Sequence, residues 1–347
     1  MGPEASAAED LLCLTLRDPR RVVALSAPGS ELLVRQARRA GLLARIGCML
    51  DAQGSLDEAA AAPKAHLRSA MALAEAQHAQ ALRELTLIDQ ALAPTGIQPV
   101  LLKDAAYVTA GMLPAMGRQI TAIDVLVPES RLAEAQTALM SHGWGTATHH
   151  GIGLRLHHAV LPTTARWMPD PARLLAAAAR PLAGWQCVAV LDAPDMVLVG
   201  MAHLFRNDDP CHSLRDLSDI DLLLRHQGRA TAFWTNLVAR ARELELDRPL
   251  YLGLRHAALR LGTPVPRNTV LSVAAHAPGP LAGRLSDMLW AHALRPRHVT
   301  AHGAWTPLAL WALSLRAPWW RAPPVQALHR SMPECRQSPA IRALTSA

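Results

Sequence analysis

A helix-rich α+β fold is predicted by three observations. Half of the 347 residues are apolar, aromatic residues make up only 4%, and Ala, Leu and Arg dominate, a composition that favours helices. Long stretches with apolar residues at three- and four-residue steps lie on both sides of the middle of the chain. Between them, Gln98 to Val127 holds two short strand-like runs, Pro99 to Leu102 and Ile123 to Val127. The length suggests two or three packed units, read as an N-terminal helical region (1–95), a mixed-sheet core (96–192) and a C-terminal helical region (193–347).

In chain order, the helical pattern runs from Ala7 to about Ala93, punctuated by Pro28-Gly29 and Gln53-Gly54. Its longest stretch, Lys64 to Leu92, carries one broad apolar face through Leu67, Met71, Ala74, Leu85 and Ile88 and should pack against another element. Pro94-Thr95-Gly96 turns the chain into the first strand, which Lys103 and Asp104 end. Asp104 is placed to cap a helix from Ala105 to Met112, and Gly111, Pro114 and Gly117 form the return loop to the second strand, whose one polar inward group is Asp124.

After Pro128 a helix runs to Gly143, with Leu132, Ala135 and Leu139 inward. Trp144 to His158 collects His149, His150, His157 and His158, with His142 just before. Adjacent histidines on a strand face opposite ways, so these are read chiefly as structural or solvent-facing rather than as a metal site. Trp185 to Leu191 reads as a last core strand. Pro194 and Asp195 open an almost wholly apolar helix to Phe205, in which His203 is read as a core residue.

The string Ser218-Asp219-Ile220-Asp221 looks like an Asp-x-Asp metal motif, but Leu214, Leu217, Ile220 and Leu224 recur at helical spacing. On a helix the two carboxylates point about 200° apart. The expected role is structural, with Asp219 bonded to His203 or Arg215. A helix pair follows from Thr231 to Leu261, and further helices at Ser286 to Leu294 and Pro307 to Leu315. The apolar run at Trp305 to Leu315 is too short to span a bilayer, which takes about 20 residues. The tryptophans at 305, 311, 319 and 320 either dock onto the helical region or form a contact for a membrane surface or protein partner.

The formal charge of +7 is spread as single and paired arginines, without dense basic blocks or interleaved aromatics. These arginines read first as solvated helix faces; the balance is compatible with a nucleotide or other phosphorylated small molecule, and nucleic acid is the lesser option. Five widely spaced cysteines indicate neither disulfides nor a CxxC zinc site and point to a reducing cytoplasm; the acidic start of the chain carries no apolar signal segment. P-loop, GxSxG, HExxH and strand-linked GxGxxG patterns are absent from the sequence.

Leu102-Lys103-Asp104, then Gly117-Arg118, then Ala122-Ile123-Asp124-Val125-Leu126-Val127 resembles a bacterial nucleotidyltransferase-like family of the DNA polymerase β superfamily, whose core reads LKG, GR and DIDLLV. Further along, Leu154 to His157, Pro194 to His203 and Leu214 to Leu224 are similar to the family's later motifs. The resemblance implies a nucleotidyltransferase-like core and nucleotidyl transfer from a nucleoside triphosphate to a small-molecule or protein acceptor. It also implies a Mg²⁺ site with Asp124 as principal ligand and catalytic carboxylate; Asp104, a departure that stands where the family has Gly, is the second candidate ligand, in place of a lost carboxylate. Lys103, Arg118, Arg155 and His157 would line the substrate pocket.

In the superfamily three carboxylates hold two Mg²⁺ ions. Here Ala122 stands in the place of the first Asp and Arg155 in that of the third, so only weak Mg²⁺ binding is expected. Asp124 is expected to pair with Arg118 or Arg155. The alternative is a non-catalytic nucleotide- or phosphate-binding or scaffold module that keeps the fold.

Overall fold

The structure, a computed structural model, describes residues 11–144, 148–149, 151–160, 170–178, 181–206, 212–296, 298–303 and 305–321. A helical stretch at 11–17 leads to α1 (Ala27–Arg39), where Ser26 accepts a hydrogen bond from the Gly29 amide and Pro28 occupies the first turn. In α2 (Leu43–Ala52) the inward side holds Leu43, Ile46 and Leu50, and with them, unusually, Arg45. The 32-residue α3 (Ala61–Leu92), about 48 Å long at 1.5 Å per residue, buries Leu67, Ala74, Ala81, Leu85, Ile88 and Leu92 along one face.

A left-handed Gly96 (φ +69°) turns the chain into β1 (Val100–Leu102), followed by α4 (Lys103–Thr109) and β2 (Ala122–Leu126). Next come α5 (Leu132–Ser141), β3 (Thr148–His149), β4 (Ile152–His157), α6 (Pro171–Ala177) and β5 (Ala189–Val190). These strands make one mixed sheet in the order β3-β4-β2-β1-β5. β1 is antiparallel to β2, with Leu102 opposite Asp124; β4 is parallel to β2, with Arg155 opposite Asp124 and His157 opposite Leu126. Every residue of β2 is buried, so Asp124 enters the core through the strand's alternation.

Two expectations are corrected here. The strand predicted at Trp185 to Leu191 pairs only at Ala189–Val190. The amides of Gln186, Cys187 and Val188 donate instead to the Asp89 carboxylate on α3, at 2.9–3.1 Å, and so are lost to a strand ladder. Nor does Asp104 cap α4. The helix already begins at Lys103, its N-cap position is Leu102, and no side chain caps it.

The helical side consists of α7 (Ala193–Arg206), α8 (Ser213–Gln227), α9 (Thr231–Glu243), α10 (Asp247–Leu261), α11 (Arg267–Val273), α12 (Pro280–Ala293) and α13 (Thr306–Arg321). Arg240 of α9 grips Asp195 in the first turn of α7 through two hydrogen bonds of 2.7 and 2.9 Å. Buried apolar residues from Leu12 to Leu294 join in a single cluster, which ties the sheet to the helices on both sides. Trp290 is buried edge-on to Phe205, whereas Trp305 and Trp311 are exposed; the side chains of Trp319 and Trp320 lie outside the described residues. Gln36 of α1 donates to the Thr300 hydroxyl, so the segment before α13 does touch the N-terminal helices. Among the described residues no helix is long and apolar enough to cross a membrane.

Candidate functional site

A cleft of about 430 Å³ opens above β2 and is walled by α4, α7 and α8, with Arg38 and Arg39 at the end of α1 on its rim. Lys103, Asp104, Arg118, Asp124 and Arg155, all singled out from the sequence, line it together. His157 stands behind Asp124 rather than in the lining.

Lys103 occupies the β1–α4 junction with φ +51°, a left-handed conformation that costs a non-glycine residue about 1–2 kcal/mol. The sequence carried no sign of this. Its ammonium makes neither a hydrogen bond nor an ion pair among the described residues, although its charge acts on Asp124 and Asp216.

Asp124 is engaged on both oxygens. His157 donates from Nε2 to Oδ1 at 2.7 Å, and the Arg155 guanidinium lies 3.6 Å from Oδ2. Burial pushes the Asp124 carboxyl up, but the hydrogen bond from His157 and the charges of Lys103, His157 and Arg155 outweigh it, so the carboxyl lies below its ordinary range. Of the two partners expected for Asp124, Arg155 is therefore present and Arg118 is not. The Arg155 side chain is 59% exposed and free to turn toward a ligand.

Arg118 belongs to a different arrangement. Its side chain is 3% exposed and donates twice to Asp104 Oδ1, at 2.6 and 2.9 Å, while Asp219 Oδ2 lies at 2.7 Å and Asp216 at 3.5 Å. The Asp219 contact is an ion pair whose angle is too bent for a hydrogen bond. Arg45 of α2 reaches the other Asp219 oxygen at 2.7 Å and donates to the Ser218 hydroxyl and the Pro114 carbonyl. Burial works against the charged form of Arg118, but Asp104, Asp219 and Asp216 more than compensate and raise its pKa. Burial raises the Asp219 carboxyl, with Arg118 and Arg45 pulling it back. Arg118 is thus a buried strut between α4 and α8, already supplied with carboxylates. The predicted partners of Asp219, His203 and Arg215, are replaced by Arg45 and Arg118.

The Asp-x-Asp look-alike lies on α8, and its two carboxylates diverge. Asp219 faces Arg118, while Asp221 accepts from Thr263 and Arg225. The residue that shares the Asp219 face is Asp216, one turn earlier, a relation legible in the sequence as an i, i+3 pair. His203, expected in the core, lines the cleft instead. Arg45 was also missed; its only signal was a lone charge on the apolar side of a helix.

Asp104 and Asp124, the two candidate metal ligands, thus each bind a protein cation, and Ala122 supplies no oxygen on β2. Among the described residues no three His, Cys, Asp or Glu side chains are grouped to hold a metal ion.

The model of a family described as uncharacterised nucleotidyltransferase matches residues 26–262, which include every wall of the cleft. No curated protein and no solved structure matches the chain.

Proposed function

Since the chain belongs to the uncharacterised nucleotidyltransferase family, we propose that its cleft binds the phosphates of a nucleoside triphosphate, or of a similarly phosphorylated small molecule, without the two-metal centre of an active transferase. The observation that carries this reading is Arg155, which lies in register opposite Asp124 and 3.6 Å from its carboxylate. A guanidinium there repels the cation that a third carboxylate would attract. Asp124, the one carboxylate left on β2, is satisfied by His157 and Arg155, so this donor set does not fit a pair of Mg²⁺ ions.

The same charges suit an anion. Among the described residues Lys103 makes no ion pair, Arg155 is largely exposed, and Arg38 and Arg39 stand on the rim. Phosphate oxygens would take the place of water around these cations while the Arg118 network holds α4 and α8 apart at the cleft wall. The reading places the core in the DNA polymerase β superfamily, supported by the antiparallel β1–β2 pair with α4 between them. A cytoplasmic setting is part of it, supported by the free thiols of Cys13, Cys48 and Cys187.

Calorimetric titration with ATP in EDTA and in Mg²⁺ tests the proposal. Binding should persist in EDTA and weaken at least about tenfold in Lys103→Ala/Arg155→Ala, a loss of about 1.4 kcal/mol or more. Binding that requires Mg²⁺, or a nucleotidyl transfer activity abolished by Asp124→Asn, would mark an active metal-dependent enzyme and overturn it.

A further inference from the structure

Among the described residues, His203 is a polar group of the cleft that neither the Arg118 network nor the Asp124 cluster hydrogen-bonds. His203 projects from α7 into the lining one turn beyond Gly200, which lines the same cleft. Its Nε2 has no contact with solvent, and neither ring nitrogen hydrogen-bonds any described residue. Buried side-chain nitrogens are nearly always bonded, and an unbonded one costs about 1–3 kcal/mol. Nε2 is closed to the solvent of the cleft and so to a ligand, whereas the ring keeps some exposure where it lines the cleft, and it is from its other nitrogen, Nδ1, that a ligand can be held.

We infer that His203 is a specificity-determining contact that recognises a hydroxyl group of the phosphorylated ligand, such as a ribose hydroxyl of a nucleotide, and not its phosphates.

The inference rests on the phosphate-site reading and adds the part of the ligand that phosphate cations cannot recognise. Burial, followed by the nearby Lys103 charge, lowers the His203 pKa to about 3, so the imidazole is neutral at neutral pH. A neutral imidazole offers one donor and one acceptor, and no described residue selects between its two tautomers. An ionised phosphate only accepts, so it satisfies one tautomer alone. A hydroxyl both donates and accepts and so satisfies either. The low pKa also makes His203 a poor proton acceptor, which argues for recognition rather than base catalysis.

The test compares ATP with inorganic tripolyphosphate by calorimetry in EDTA, using the full chain and its His203→Ala and His203→Gln variants. Circular dichroism would establish that the variants fold. The wild type should prefer ATP. His203→Ala should lose about two- to tenfold in ATP affinity, the range of one neutral hydrogen bond, with tripolyphosphate affinity unchanged, and His203→Gln should restore part of the loss. Equal weakening of both ligands, or no change in either, overturns the role of His203 and leaves the phosphate site standing. If the folded wild type binds neither ligand, the phosphate reading itself falls, and this inference with it.

Discussion

Asp124 and His203 share a cleft but lose their stabilising effect in different acid windows. The folded-state pKa of Asp124 is depressed, so its contribution is present above the unfolded value of about 3.8 and is lost as pH falls through the folded value. His203 is a base with a depressed pKa, about 3 against 6.5 when unfolded, and His256, packed against Trp290, is lowered to about 4. Below pH 6.5 the unfolded chain takes up protons that the folded chain refuses, so stability must decline with falling pH. The unfolding free energy measured in denaturant should fall between about pH 6.5 and 4 by at most about 1.4 kcal/mol per unit for each histidine. His203→Gln should remove one histidine's share of that slope. An unchanged slope would show that the imidazole is not held neutral.

The loop between α4 and β2 shows how one element positions another. Gly117 has φ +62°, and a Cβ there would come under 3.0 Å from the backbone of Ala44 and Arg45 in α2. The next residue, Arg118, needs that close approach to share Asp219 with Arg45. Gly117→Ala is therefore expected to cost about 3 kcal/mol or more, combining left-handed strain with a clash against backbone that cannot move aside. Arg118→Met should cost about 3–5 kcal/mol, because it strands the Asp104 and Asp219 carboxylates in a buried site. Chemical denaturation measures both, and a loss below about 1 kcal/mol in either would show that this junction yields easily.

For the whole molecule, α3 is the spar on which the sheet is hung. Gln77 accepts from the Ile120 amide, His78 bonds the Arg118 carbonyl, Glu84 pairs with His149, and Asp89 receives the three amides of 186–188. These contacts reach the loop before β2, the strand β3 and the approach to β5, so one helix registers both edges of the sheet. Asp89→Ala should therefore cost about 3 kcal/mol or more, since it orphans three backbone donors at once. Asp89→Asn, which keeps one acceptor oxygen, should fall between the alanine variant and the wild type. Equal stability of all three proteins in guanidinium would refute this role for α3.

The sequence by itself determined the helix-rich α+β class, the neighbouring strands at Val100–Leu102 and Ala122–Leu126, and the helical nature of α8, because each rests on local periodicity and turn chemistry. That Lys103, Asp104, Arg118, Asp124 and Arg155 would lie near one another followed from the family resemblance, and all five line one cleft. Only the tertiary structure decided which charge meets which. Arg118 passes Asp124 by for Asp104, Asp216 and Asp219, because α8, remote in sequence, brings two carboxylates to it and α2 brings Arg45. His203 likewise sits on a helix whose apolar pattern reads as core, and its opening onto a cleft follows from how α7 packs against α8. Pairing among buried charges is a long-range property set by packing, and no local pattern encodes it.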